Sequence, residues 1–143
     1  MKNPTSRLLL VAVLSAMVGL ATACTATQGP SMQTVRVTAR DLAFAPDEVA
    51  LRAGSLVRLT LANEGVLEHD ITGPGLSVGE AVAPSHGTGE HAMVSTPPGT
   101  VHLVAAAGTS ATVEFMPQKG AFEFYCAVPG HREAGMRGTI RVM

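Results

Sequence analysis

The stretch Cys126 to Met136, CAVPGHREAGM, sets a thiol, an imidazole and a thioether at a regular interval. Four residues separate Cys126 from His131, and four more separate His131 from Met136. Thiolate, imidazole and thioether are the ligands a soft copper site takes, and a trigonal His2Cys plane with a weak axial Met is the arrangement in which copper is held. The plane needs a second histidine from elsewhere in the chain, and the candidates are His69, His86, His91 and His102. His69 is the choice: in LEHDI it stands at the end of a strand-like stretch, two residues from Ile71 on the same face. His86 and His91 fall in an irregular segment, and His102, inside VHLVAAAG, reads as an ordinary histidine on an exposed strand face. For Cys126 in isolation a buried inert thiol is the commoner outcome. The spacing of His131 and Met136 shifts the reading to a metal ligand, whereas Met136 alone would read as core.

The elements that must hold these residues have a period of two. TVRVTA (Thr34 to Ala39) alternates Val35 and Val37 with Arg36 and Thr38, and VRLTL places Val57, Leu59 and Leu61 on one face. The same alternation returns at Ala111, Val113 and Phe115, at Phe122, Phe124 and Cys126, and at Ile140 and Val142. No stretch after residue 23 shows a sustained helical stripe, and Gly54, Gly65, Gly108, Gly120 and Gly138 fall at turn positions between the strands. Short strands with such punctuation predict an all-β antiparallel sandwich or barrel. Strand parity then turns the Cys126 sulfur inward with Phe122 and Phe124, and Tyr125 outward. The Pro129–Gly130 turn and Gly138 close the intervening loop over one end of the sandwich. One region breaks the rhythm: Gly73 to Gly99 is rich in Gly, Pro and Ser and is too long for a hairpin connection, so it reads as an insertion.

Residues 1–23 are read as a signal peptide, because Lys2 and Arg7 precede an apolar run from Leu8 to Leu20 that ends in LATAC. The run is too short to span a bilayer comfortably. Cys24 directly after Leu-Ala-Thr-Ala fits a lipoprotein cleavage site, although Ala21 stands where a larger aliphatic is usual; simple cleavage and release is the alternative. Residues 24–33 then form a tether and 34–143 a single domain. This predicts an exported protein of the periplasm or the outer face of a cell membrane, anchored by a lipid at Cys24. With two of the ten basic residues in the leader, eight remain against eleven acidic ones, a net charge of −3 that points to no nucleic acid. An acylated Cys24 leaves Cys126 without a disulfide partner, and a lone thiol in an oxidising compartment calls for a use.

At this point the chain resembles the cupredoxins. Residues 42 to 71, LAFAPDEVALRAGSLVRLTLANEGVLEHDI, are similar to the amino-terminal half of that family, with Phe44 and Pro46, the Gly54 turn, and Asn63 ahead of the candidate histidine. GAFEFYCAVPGHREAGMRGTIRV resembles its closing hairpin, and the likeness covers residues 34 to 143. The Cys-x4-His-x4-Met spacing is similar to that of auracyanins and rusticyanins and longer between Cys and His than in plastocyanins. The resemblance implies an eight-stranded or near-eight-stranded Greek-key sandwich binding one type 1 copper through His69, Cys126, His131 and Met136. It also implies that the His131 ring edge reaches the surface among Val128, Pro129, Ala134 and Gly135, a small apolar patch suited to transient docking of redox partner proteins by a monomer. Two residues depart from the family pattern. Asp70 replaces the usual Asn after the first histidine, and an ionised carboxylate accepts but cannot donate a hydrogen bond. Ala127 follows the cysteine in place of a hydroxyl-bearing residue.

The expectation is a mononuclear copper protein that carries single electrons in the bacterial cell envelope, with a copper storage or delivery protein as the alternative. Enzymatic roles are disfavoured: no His-x-His pair exists for a multicopper centre, and a binuclear site would need a second loop cysteine. His86, His91 and Met93 in HGTGEHAM invite a second, flexible copper or silver site, weighed against solvated polar residues on an insertion.

Overall fold

The computed structural model describes residues 31–79 and 97–143. The leader, Cys24 with most of the tether, and His86, His91 and Met93 lie outside the described residues. Strands β1 (Gln33–Arg40), β2 (Ala43–Ala45), β3 (Glu48–Leu51), β4 (Val57–Asn63), β5 (His69–Gly73), β6 (Val101–Ala105), β7 (Ser110–Phe115), β8 (Gly120–Tyr125) and β9 (Arg137–Val142) form two sheets. One has the order β2-β1-β4-β7 and the other β3-β9-β8-β5-β6. The alternation seen in the sequence is the alternation of burial. Val57, Leu59 and Leu61 on β4, Val113 and Phe115 on β7, and Ile140 and Val142 on β9 are all buried. Burying one face of each sheet against the other removes these side chains from water, and this is the main favourable term in such a fold. Phe44 and Phe124 meet at the centre with ring centroids 5.1 Å apart.

Most ladders are antiparallel, as short turns require, but β1 pairs with β4 and β3 with β9 in parallel. Parallel neighbours need a long crossover. Here the chain leaves β1, passes through β2 and crosses to the other sheet as β3 before returning as β4, so β4 comes back running in the direction of β1. Gly138 has no left-handed backbone to explain it. A Cβ there would collide with the Asp47 carbonyl and the Phe124 ring, so this glycine is required by a close approach.

The Gly73–Gly99 segment is more ordered at its margins than its composition implies. Leu76 is fully buried, the Val78 amide donates to Met116 O at 2.8 Å, and the Ser77 amide donates to Gly99 O at 2.9 Å. The last contact closes the base of the insertion. That base adjoins Gly73 and Val101, at the opposite end of β5 and β6 from His69 and Ala105.

Candidate metal centre

β5 starts at His69, while β6 ends at Ala105, β8 at Tyr125 and β4 at Asn63, so one end of the sandwich collects the turns that carry the candidate donors. His69 is paired across the sheet with Ala105 and has no exposed surface. The turn in front of it is fixed by Asn63, whose Nδ2 donates to Leu67 O at 2.7 Å and to Ala105 O at 2.8 Å. Its Oδ1 accepts the Gly65 amide at 2.9 Å. Gly65 stands hard against the histidine: a Cβ there would lie 3.1 Å from His69 Nε2.

On the other side, Cys126 leaves β8 with its sulfur inward, as parity predicts, and the next residues fold back on themselves. The His131 amide donates to Val128 O, the Met136 amide to His131 O and the Cys126 amide to Met136 O, each at 3.0 Å. These short-range bonds close the loop so that His131 Nδ1 lies 3.4 Å from Cys126 Sγ, while His69 Nδ1 approaches the same sulfur to 3.9 Å. The donor atoms of His69, Cys126 and His131 all lie within 4.8 Å of one another, and all three residues are buried. Met136 is fully buried in the same loop. Three of the four expected donors are therefore brought together from two distant parts of the chain, with Met136 buried in the loop that carries two of them.

Asp70 turns its carboxylate toward the loop. The Ala127 amide donates to Oδ1 at 3.0 Å and Oδ2 at 2.9 Å, and the Thr72 hydroxyl donates to Oδ1 at 2.9 Å. The Asp70 amide in turn points at Cys126 Sγ, 3.4 Å away. The acceptor role expected of a carboxylate is thus filled, and Ala127 contributes its backbone N–H rather than a side chain. His102 sits half-buried on β6.

The electrostatics follow from burial. The His69 pKa is pushed down, first by loss of water and then by the neighbouring His131, against the opposing pull of Asp70 and Asp41. Burial likewise pushes the Cys126 thiol up, although the amides of Asp70 and Val128 favour the thiolate. A metal ion entering here must displace that thiol proton. One sulfur and two imidazole nitrogens that converge in a buried site, beside a carboxylate whose oxygens already accept the Ala127 amide, form a donor set that fits a soft ion such as copper and suits a hard one poorly.

Comparison with known proteins agrees with this geometry. Residues 31–143 match the copper binding proteins of the plastocyanin/azurin family, and the chain belongs to that family. It is a cupredoxin, and copper is the family's metal. The chain is 35% identical over 117 residues to the copper-resistant cuproprotein CopI of Rubrivivax gelatinosus, covering 78% of this chain and 67% of the relative. It is also 35% identical over 122 residues to auracyanin-B of Chloroflexus aurantiacus, covering 77% of this chain and 52% of the relative, about half of that sequence. The solved structure of auracyanin B superposes with a TM-score of 0.59 at 27% identity, covering 81% of this chain and 91% of that one.

Several contributors escape a reading of the sequence alone. The double bridge made by Asn63 links residues 42 apart, and no local pattern announces such a contact. Val66 and Leu67, 85% and 54% exposed beside His69, stand out only as two adjacent apolar residues in a turn. Of the expected surface patch, Pro129, Ala134 and Gly135 are exposed and Val128 is half-buried, while His131 itself keeps only 8% of its surface.

Proposed function

We propose that the protein is a one-electron carrier of the bacterial cell envelope, in which His69, Cys126, His131 and Met136 would hold a single type 1 copper. Copper held there would take up one electron from a donor and pass it to an acceptor, as Cu(II) and Cu(I) in turn. The chain's own residues keep the surroundings constant while this happens. β5 and the Asn63 bridge hold His69 in the sheet, the closed loop holds His131, and the Asp70 carboxylate ties that loop to β5. Burial of all the donors excludes water, so little has to move when the charge changes. Partners dock transiently on exposed apolar residues of the turns that carry the two histidines, Pro129 and Ala134 beside His131 and Val66 and Leu67 ahead of His69. The leader and Cys24 place the domain outside the cytoplasm, tethered to a membrane by lipid. The protein has no catalytic role of its own in this reading.

The observation that carries the proposal is the convergence of both Nδ1 atoms on one buried sulfur. Titration with Cu(II), followed by visible absorption, tests it. One equivalent should produce an intense thiolate-to-copper band that is absent from Cys126→Ser, and a titration without such a band sinks the assignment. The likeness to a copper-resistant cuproprotein supports a second reading, in which the site stores or delivers copper. Slow copper loss to a chelator together with fast electron self-exchange favours the carrier, and the reverse favours delivery.

A further inference from the structure

His131 and Arg132 are consecutive and point to opposite sides of the end of β8. His131 faces inward to Cys126, whereas the Arg132 guanidinium lies 3.8 Å over the Tyr125 ring and forms an ion pair with Glu123. Tyr125 and Glu123 occupy alternate positions on the outer face of β8, the strand that delivers Cys126. The loop's other hydrogen bonds are largely internal: Ala134 to Gly130, Gly135 to Arg132 and Arg137 to Gly135. They shape the loop but do not fasten it to the sandwich. The Cys126 sulfur and the Ala127 amide tie the start of the loop to Asp70 on β5; beyond them, among side chains of the described residues from Val128 to Met136, Arg132 is the one in a hydrogen bond or ion pair that reaches back to a strand.

We infer that Arg132 is a positioning residue, a clasp that grips Tyr125 and Glu123 so that His131 stays against Cys126 and bound copper is retained. This rests on the ligand assignment made above. For His131 to leave the metal, the loop must lift, and lifting it separates the guanidinium from both the ring and the carboxylate. The two contacts act together on one planar group, and lysine reproduces only the charge. Both are partly exposed, Arg132 and Glu123 having 44% and 41% of their side-chain surface in water, so the clasp adjusts the rate of loss and does not create the site.

The test measures transfer of copper from the loaded protein to a Cu(I) chelator under reducing conditions. Arg132→Ala should lose copper about tenfold faster than wild type, the combined effect of one exposed cation–π contact and one surface ion pair. Tyr125→Leu, which removes the ring contact and leaves the ion pair, should fall between Arg132→Ala and wild type, and Tyr125→Phe, which keeps the ring, should behave as wild type. Arg132→Lys should fall between. The wild-type rate should rise with ionic strength as the ion pair is screened, and the Arg132→Ala rate should stay flat. An Arg132→Ala rate within twofold of wild type overturns the clasp. So does a metal-free Arg132→Ala protein that unfolds as readily as a core variant, since the effect would then be general. A wild-type protein that never develops the thiolate band would instead defeat the ligand assignment, so the two failures are distinguishable.

Discussion

The two imidazoles of the site are held by different means. His69 belongs to a sheet: it is paired with Ala105, its preceding turn is bridged by Asn63, and its strand lies between β8 and β6. His131 belongs to a loop closed by amide bonds between residues at most ten apart in sequence, with Arg132 and the Asp70 carboxylate as its ties to the strands. Moving His69 requires breaking the sandwich, whereas moving His131 requires only opening the loop. Rigidity is therefore concentrated on one side of the metal, and access to it on the other. Loss of contacts on the sheet side should appear as global instability, and loss on the loop side as altered copper binding in a folded protein.

The largest effect should come from Gly138→Ala, which drives a methyl into the Phe124 ring and the Asp47 carbonyl beneath both halves of the site. A loss of about 3 kcal/mol or more is expected, read from the urea midpoint. Asn63→Ala should follow at about 2 to 3 kcal/mol, because it leaves two carbonyls and the Gly65 amide without their partner. As a sheet-side change, it should destabilise the metal-free and copper-loaded forms alike. Asp70→Ala should cost about 1 to 2 kcal/mol by orphaning the Ala127 amide, whereas Asp70→Asn keeps an acceptor for it and should cost less. Asp70→Asn also removes a negative charge 3.8 Å from the sulfur. It should therefore raise the copper reduction potential, since that charge favours the more positive oxidation state. If Asp70→Asn leaves the potential unchanged, the carboxylate acts only as an acceptor.

The smallest effect is in the pH dependence of the metal-free protein. Burial holds His69 below its ordinary 6.5, so the unfolded chain takes up a proton below that pH which the folded chain refuses, and stability falls on the acid side. Cys126 is held above its ordinary 9.0, so above that pH the unfolded chain gives up a proton which the folded chain keeps, and stability falls on the alkaline side. Urea midpoints at about pH 5, 7.5 and 10 should show the maximum in the middle. Copper loading should remove the alkaline decline, because the bound sulfur is already a thiolate, and should steepen the acid one as protons compete for the donors.

What could be read in advance divides along the same line. The loop donors were legible because their spacing is local, and the inward turn of Cys126 followed from the parity it shares with Phe124. His69 was found because it stands at a strand end in register with Ile71. The parallel pairings of β1 with β4 and of β3 with β9 were not legible, since alternation says which face is buried and nothing about which strand lies beside which. Nor was the ordered start of the insertion, where buried Leu76 differs little in the sequence from exposed Val78 two residues on, both in a Gly- and Pro-rich background. Arg132 looked like any exposed charge, because its partners at Tyr125 and Glu123 lie on the outer face of β8, seven and nine residues back.

The place of β8 and β9 in the larger sheet has a consequence for how the molecule comes to hold its metal. They lie at its centre, between β3 and β5, yet they are the last of the described strands to be synthesised. A chain emerging from its amino terminus thus makes both flanks of that sheet before anything exists to join them, and the final hairpin must slot between them. The same hairpin brings three of the four proposed donors. Until that hairpin is in place the proposed centre holds only His69 of its four donors, and the full set exists once the sheet is complete.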